Sequence, residues 1–346
     1  MESDCSGGRD PQEPVVNALP QARGPLSAAV LGLVTAGPPS PGRVLGPPAG
    51  PADPWSEDHQ LALHLCYELH DRGLPDTDPA WEWDPGLLAF RAALERPFLT
   101  ALRAEAGPVR PVSEALERLL IEPVDGTGPS HYLLAEGERW QAREYLVHRS
   151  AYHLKEADPQ MWLVPRVHGP AQAALMAVAY DEYGAGRPER AHSLLFARMM
   201  VDLGLDPRYG YYLDQVPAPA LAVVNLMTLF GLHRALRGAA VGLFAVVEVT
   251  SSPGSARLAA ALERLGAGPD GTLFYREHIE ADAVHEQLMR RGVVGELIAA
   301  EAELEPDIAF GIAAAELVDD RFAAHLLEHW RVGRSSLRSP LPDGPG

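Results

Sequence analysis

Leu221-Ala-Val-Val-Asn-Leu-Met-Thr-Leu-Phe230 and Gly242-Leu-Phe-Ala-Val-Val-Glu248-Val-Thr250 belong to one mostly apolar run over residues 219–249. The run has no period-two alternation. At this length it reads as a helix buried on all sides, with a kink expected at Gly231 or Gly238, and not as a strand. Working outward, helical spacing of apolar residues is predicted over 55–73, with a start at Ser56-Glu57-Asp58, and over 85–106, 112–121 and 138–155. Further helices are predicted over 170–183, 188–203, 256–265, 273–291 and 306–330. Strand-like alternation is absent nearly everywhere, and no repeat of fixed period is found. The chain therefore reads as all-α, with one domain over 55–335 built on a helical bundle and a C-terminal tail over 336–346. Residues 1–54 are dense in Pro and Gly and are expected to be a disordered tail, with Ala28–Val34 its one apolar patch.

The charge of −18 argues against broad nucleic-acid or anionic-membrane partners, which need a basic surface. The two cysteines, Cys5 and Cys66, cannot build a four-thiolate zinc site or a cysteine-ligated iron–sulfur cluster within one chain. A disulfide framework is not expected, and a reducing cytoplasmic setting fits. No uninterrupted run of 18 apolar residues and no signal peptide are read in the sequence.

The sharpest chemical feature is Tyr275-Arg-Glu-His278-Ile-Glu-Ala-Asp282-Ala-Val-His285-Glu286. On a helix, His278, Asp282 and His285 fall at roughly 0°, 40° and −20°, on one narrow face. The histidines are then about 10.5 Å apart along the axis, too far for one ion and suited to two with Asp282 between. The alternative is a surface helix whose charges happen to align. Glu248 is a carboxylate inside an apolar run, expensive to bury unless paired, protonated or bound to metal. It could instead lie at a helix end, since Thr250-Ser-Ser-Pro253 follows. Glu182 and His192 would be about 15 Å apart on a continuous helix, and only the Gly184-Ala-Gly-Arg-Pro188 interruption lets them serve one site. Three carboxylates and three histidines make an O/N ligand set that suits iron or manganese, with zinc still open. The Glu-x-x-His pair of ferritin-like bundles is missing at these positions, so a different architecture is expected.

In order and interval, Glu182, His192, Glu248 and His278-x-x-x-Asp282-x-x-His285 resemble the ligand series of the haem-oxygenase-like di-iron oxidases, the iron-containing redox enzymes. The intervals are 10, 56, 30, 4 and 3 residues. The resemblance covers roughly residues 56–335. It implies a haem-oxygenase-like helical fold that binds two Fe ions in place of haem and activates O2 at the reduced centre. Glu156, in His153-Leu-Lys-Glu156-Ala-Asp158, resembles the extra carboxylate of N-oxygenating members, although a solvated acid at a helix end reads equally well.

The function expected from these residues is O2-dependent oxidation of a small-molecule substrate, with N-oxygenation of an amine favoured through Glu156. Oxidative C–C cleavage or desaturation of an amino or fatty acid is the next reading. The expected partners are the substrate, O2 and an external electron donor, with a homodimer left open. A non-catalytic helical protein with a vestigial site and a zinc or manganese hydrolase are the rivals from other classes. A true haem oxygenase would need His59 or His64 as a proximal ligand and would leave six polar residues without a role. His325-Leu-Leu-Glu-His329 has zinc-like spacing but lacks a third ligand, and reads as a polar helix face.

Overall fold

A computed structural model describes residues 19–40, 45–46, 53–122, 126–342 and 344, apart from the side chains of Asp282 and Ala283. Among the described residues every regular element is helical. The helices are α1 (Pro25–Thr35), α2 (Glu57–Glu68), α3 (Pro85–Glu105), α4 (Val112–Leu119), α5 (Pro129–Ala135), α6 (Arg139–His153) and α7 (Asp158–Met161). They continue as α8 (Gly169–Glu182), α9 (His192–Asp202), α10 (Ala218–Leu232), α11 (Arg237–Arg264), α12 (Pro269–Gln287), α13 (Glu296–Ala300) and α14 (Glu305–Trp330).

The apolar run that decided the fold is two helices. His233 takes an extended conformation between α10 and α11, so the break falls between the two glycines where a kink was expected. Helix α11 then runs on through Pro253, where the sequence suggested an end and a new helix at 256. Proline removes one backbone donor from a helix. Neighbouring hydroxyls engage nearby carbonyl oxygens: Thr250 donates to Val246 at 2.8 Å, and Ser252 to Ile279 of α12 at 3.4 Å. Glu248 is therefore in mid-helix, not near an end.

Helix α11 is the axis of the molecule, lying along α12 on one side and α14 on the other. By length and composition the segment Arg234–Arg264 could cross a bilayer, but 67% of its apolar window is buried inside the molecule. Its approach to α14 is close enough to require glycine on both. A Cβ on Gly242 would strike the Ile308 carbonyl, and one on Gly311 would strike the Ala239 carbonyl. Helix α12 passes without a break into a π-helical turn, Leu288–Gly295.

The segment Pro25–Thr35 corrects the expectation of disorder up to residue 54. Its Leu26, Val30, Leu33 and Val34 form a helical stripe buried in the core beside α2. Asp58 caps its start, accepting from the Leu26 and Ser27 amides at 2.8 Å each. Four apolar contacts and a borrowed cap outweigh a composition that, averaged over the tail, is too rich in Pro and Gly to order. The expectation for residues 1–18, 41–44 and 47–52 falls outside the described residues. At the other end, Ser336, Leu337 and Leu341 are buried, and Glu144 accepts from the Ser336 amide at 2.9 Å.

Candidate metal centre

Four elements bring the site together at the middle of α11. Glu182 is the last residue of α8, and His192 opens α9. Between them Gly184, Ala185 and Gly186 all have positive φ, at 84°, 53° and 80°. A Cβ on Gly184 would also collide with the Arg187 carbonyl. This left-handed reversal folds α9 back on α8 and sets His192 Nδ1 2.7 Å from Glu182 Oε2. The interruption thus does what the sequence required of it.

Glu248 comes from α11, and His278 and His285 from α12. All of these ligand candidates are buried, as is Glu156 from the turn between α6 and α7. Glu156, Glu182, His192 and His278 each offer one ligand atom within 4.8 Å of the others, and so do Glu182, Glu248 and His285. The two groups share Glu182. His278 and His285, too far apart along the helix for one ion, fall in different groups. Asp282 lies between them on α12, but its side chain is outside the described residues.

Both α12 histidines are held in a defined orientation. His278 Nδ1 is 2.8 Å from the Phe274 carbonyl, so it donates there and turns Nε2 toward Glu156 Oε1 at 3.7 Å. His285 Nε2 lies 3.3 Å from Asp181, while Nδ1 faces Glu248 at 3.1 Å and Glu182 at 3.5 Å. Ligating histidines are commonly fixed in this way, by a hydrogen bond from the ring nitrogen that does not ligate. Asp181 and the Phe274 carbonyl were not picked out from the sequence. The only signal for Asp181 was its place beside Glu182.

The chemistry of the donor set fits a cation. Three carboxylates buried together are costly without compensating positive charge. His192 Nδ1 and Glu156 Oε2 are both buried without a hydrogen-bond partner. His192 Nδ1 is close to Glu182 yet badly angled for a hydrogen bond, as two donor atoms facing a common ion would be. Burial raises the Glu156 carboxyl, but His153, 2.9 Å away, and His278 outweigh this and hold it well below the usual carboxylate range. Glu156 is therefore not a solvated acid at a helix end but a buried carboxylate grouped with Glu182, His192 and His278.

The turn that presents Glu156 is itself clamped. Ala157 has a positive φ of 71°, costly for a residue with a Cβ. On one side Lys155 is buried against Glu68 and Asp71, at 2.7 and 2.6 Å. On the other, Asp158 meets Arg72 at 3.1 Å and the Tyr183 hydroxyl at 2.8 Å. Phe196 packs tilted and Phe274 edge-on against the ring of His153, and both are buried.

A cavity of about 320 Å³ opens from Glu156, Glu182, Glu248 and His278 toward Arg149, Asp319 and Ser130. The other histidines weighed in the sequence are engaged elsewhere. His325 Nε2 lies 2.7 Å from the Ser336 carbonyl, His329 Nδ1 lies 2.8 Å from that of His325, and His59 Nε2 lies 3.1 Å from that of Leu94.

The family model described as iron-containing redox enzyme matches residues 143–320, just over half of the chain and all of the residues that form the site. The chain belongs to this family. As an iron-containing redox enzyme it is an oxidoreductase, and its all-helical architecture is the haem-oxygenase-like bundle that the ligand series implied. A nitrosourea synthase of Streptomyces achromogenes subsp. streptozoticus is 30% identical over 179 residues. That match covers 51% of this chain and 38% of the relative's length, so the chain spans well under half of the relative. The carboxylates and imidazoles described above could hold a metal ion.

Proposed function

We propose that this iron-containing redox enzyme is an O2-dependent non-haem di-iron oxygenase that oxygenates a nitrogen of a small amine-bearing metabolite. One observation carries the reading. Glu182 is a buried carboxylate common to two ligand groups, so it would serve both ions of a pair held there. Glu156, Glu182, His192 and His278 would hold one ion, and Glu182, Glu248 and His285 the other, with Asp282 of α12 completing the set.

A ferrous pair bound there would supply electrons and Lewis acidity for the reduction of O2. The chain's own residues do the remaining work. Phe196 and Phe274 exclude water, Asp181 and the Phe274 carbonyl keep the imidazoles in register, and Glu156, at the cavity wall, is placed to orient the substrate nitrogen. The overall step is R–NH2 + O2 + 2 e− + 2 H+ → R–NHOH + H2O, with both electrons from an external donor. The cavity admits the small-molecule substrate, and the cytoplasm is the proposed compartment.

The extra carboxylate supports N-oxygenation over C–C cleavage or desaturation. The relative's name points the same way, because a nitrosourea contains an N-nitroso group whose formation needs nitrogen oxidation. Only the nitrogen–oxygen chemistry is transferred here, since most of that relative has no counterpart in the match.

Anaerobic Fe(II) loading, iron quantitation and then stopped-flow exposure to O2 test the reading. Two irons per chain and a transient absorption band that decays faster with an amine substrate are expected, with product mass raised by one oxygen atom. No appreciable iron and no transient would sink it. Unchanged N-oxygenation in Glu156→Ala would remove the basis for preferring that chemistry.

A further inference from the structure

The centre has a side that the cavity does not reach. Glu156, Glu182, Glu248 and His278 line the cavity, whereas His285 and Asp181 do not. His285 is fully buried, yet its Nε2 lies 3.3 Å from Asp181, whose side chain is 43% exposed. One hydrogen bond therefore separates a buried ligand candidate from solvent, away from the cavity. The neighbours of other candidates lie deeper. Gln160, 3.4 Å from Glu248, and Phe274, whose carbonyl holds His278, are both buried. The last turn of α8 produces this arrangement. Glu182 is buried there, while Tyr180 and Tyr183 on either side are 58% and 41% exposed. Their hydroxyls donate to the Ala185 carbonyl at 2.9 Å and to Asp158 at 2.8 Å, which fixes the turn.

The oxygenation proposed above consumes two electrons that come from outside the chain. A cavity of about 320 Å³ takes a small molecule, not a folded protein, and the substrate needs it. A carrier protein has to deliver its electrons at the surface. The hydrogen-bonded path through Asp181 and His285 is short, and it stays open while substrate fills the cavity.

Resting on the reading of the centre as a di-iron oxygenase, we infer that the surface at the end of α8 is the electron-entry site. Asp181 is its positioning residue, linking His285 to a one-electron carrier protein that meets the chain there. Two carriers each give up one electron, and together these return a ferric pair to the ferrous state. The carriers are oxidised, and no covalent bond forms or breaks.

Anaerobic stopped-flow mixing tests this on the full chain, iron-loaded and then oxidised by air. The probes are reduced plant-type ferredoxin, too large for the cavity, and dithionite, small enough to enter it. Ferredoxin reoxidation, followed by its own absorbance, should slow about 10-fold or more in Asp181→Ala at equal iron content. Dithionite should reduce that variant at the unaltered rate. Asp181→Asn, which can still accept from Nε2, should stay within about 3-fold of the unaltered chain. In a Cys5→Ser background, a polyethylene-glycol chain attached to the thiol of Tyr180→Cys should abolish reduction by ferredoxin and spare that by dithionite. Cys66 is buried and out of reach of the label. Thermal melting checks that each variant is folded. Equal slowing of both reductants in Asp181→Ala would leave Asp181 only a prop for the ring and overturn the inference. So would an unchanged ferredoxin rate in that variant or after labelling. Failure to bind iron would overturn the oxygenase reading and the route with it. A centre that dithionite reduces and ferredoxin does not would overturn the route alone.

Discussion

Lys155, the only lysine in the chain, donates from Nζ to Glu68 Oε1 at 2.7 Å, and both side chains are buried. The same ammonium meets Asp71, and the Tyr209 hydroxyl donates to Glu68 at 2.7 Å, so the end of α2 is tied to the residue just before Glu156. This cluster does not itself line the cavity but fixes the turn on which a site residue stands.

Replacing Lys155 by Met should therefore be costly. It leaves two buried acids uncompensated, and breaking a buried pair in this way costs about 3–5 kcal/mol. Urea denaturation of the metal-free chain should show that loss. A cost within experimental error of zero would mean that the cluster does not hold the turn.

Glu182 and Glu156 should separate in iron stoichiometry. Under the proposed reading Glu182→Ala weakens both positions, whereas Glu156→Ala weakens one. Mössbauer spectra of the loaded variants check this, and loss of a single iron in Glu182→Ala would contradict the shared carboxylate.

Asp181 touches no substrate and acts through His285. Asp181→Ala should lower metal affinity about 10- to 100-fold, the usual effect of removing such a partner. Asp181→Asn, which can still accept from Nε2, should recover much of it. Competition with a chelator measures both, and identical losses in the two variants would argue against orientation of the ring.

Gly184→Ala should unfold the reversal between α8 and α9. The position has φ of 84°, and a Cβ there meets the Arg187 carbonyl. A loss of about 2 kcal/mol or more is expected in chemical denaturation, with weaker metal binding.

Burial pushes His64 down from 6.5 to about 4, only partly opposed by Glu68. Between these values the unfolded chain carries a proton that the folded chain lacks. Stability from this residue is thus complete above pH 6.5 and lost as pH falls to about 4, worth on the order of 3 kcal/mol. His148 is depressed in the same direction, chiefly by burial. Denaturation of the metal-free chain from pH 7 to 4 should show the slope, and His64→Leu should make it shallower.

Much of the site was legible because ligands are marked by type and by local spacing. His278 and His285 share a face by helical arithmetic, and Glu248 stands out as an acid in an apolar run. The reversal at Gly184 was legible too, since glycines and a proline mark where the chain can turn. Asp181 was not legible as a member of the site. An aspartate is an ordinary helix-surface residue until its neighbours are known. Helix α1 was missed because its stability comes from α2 and from Asp58, not from its own composition.

The sequence by itself determined that the chain is helical and which residues could ligate a metal, because periodicity and residue chemistry are local properties. Only the tertiary structure decided that Glu182 is common to two groups and that Glu156 faces the site. Those facts depend on distances between helices far apart in the chain, and on which buried charges find a counter-charge once the helices have packed.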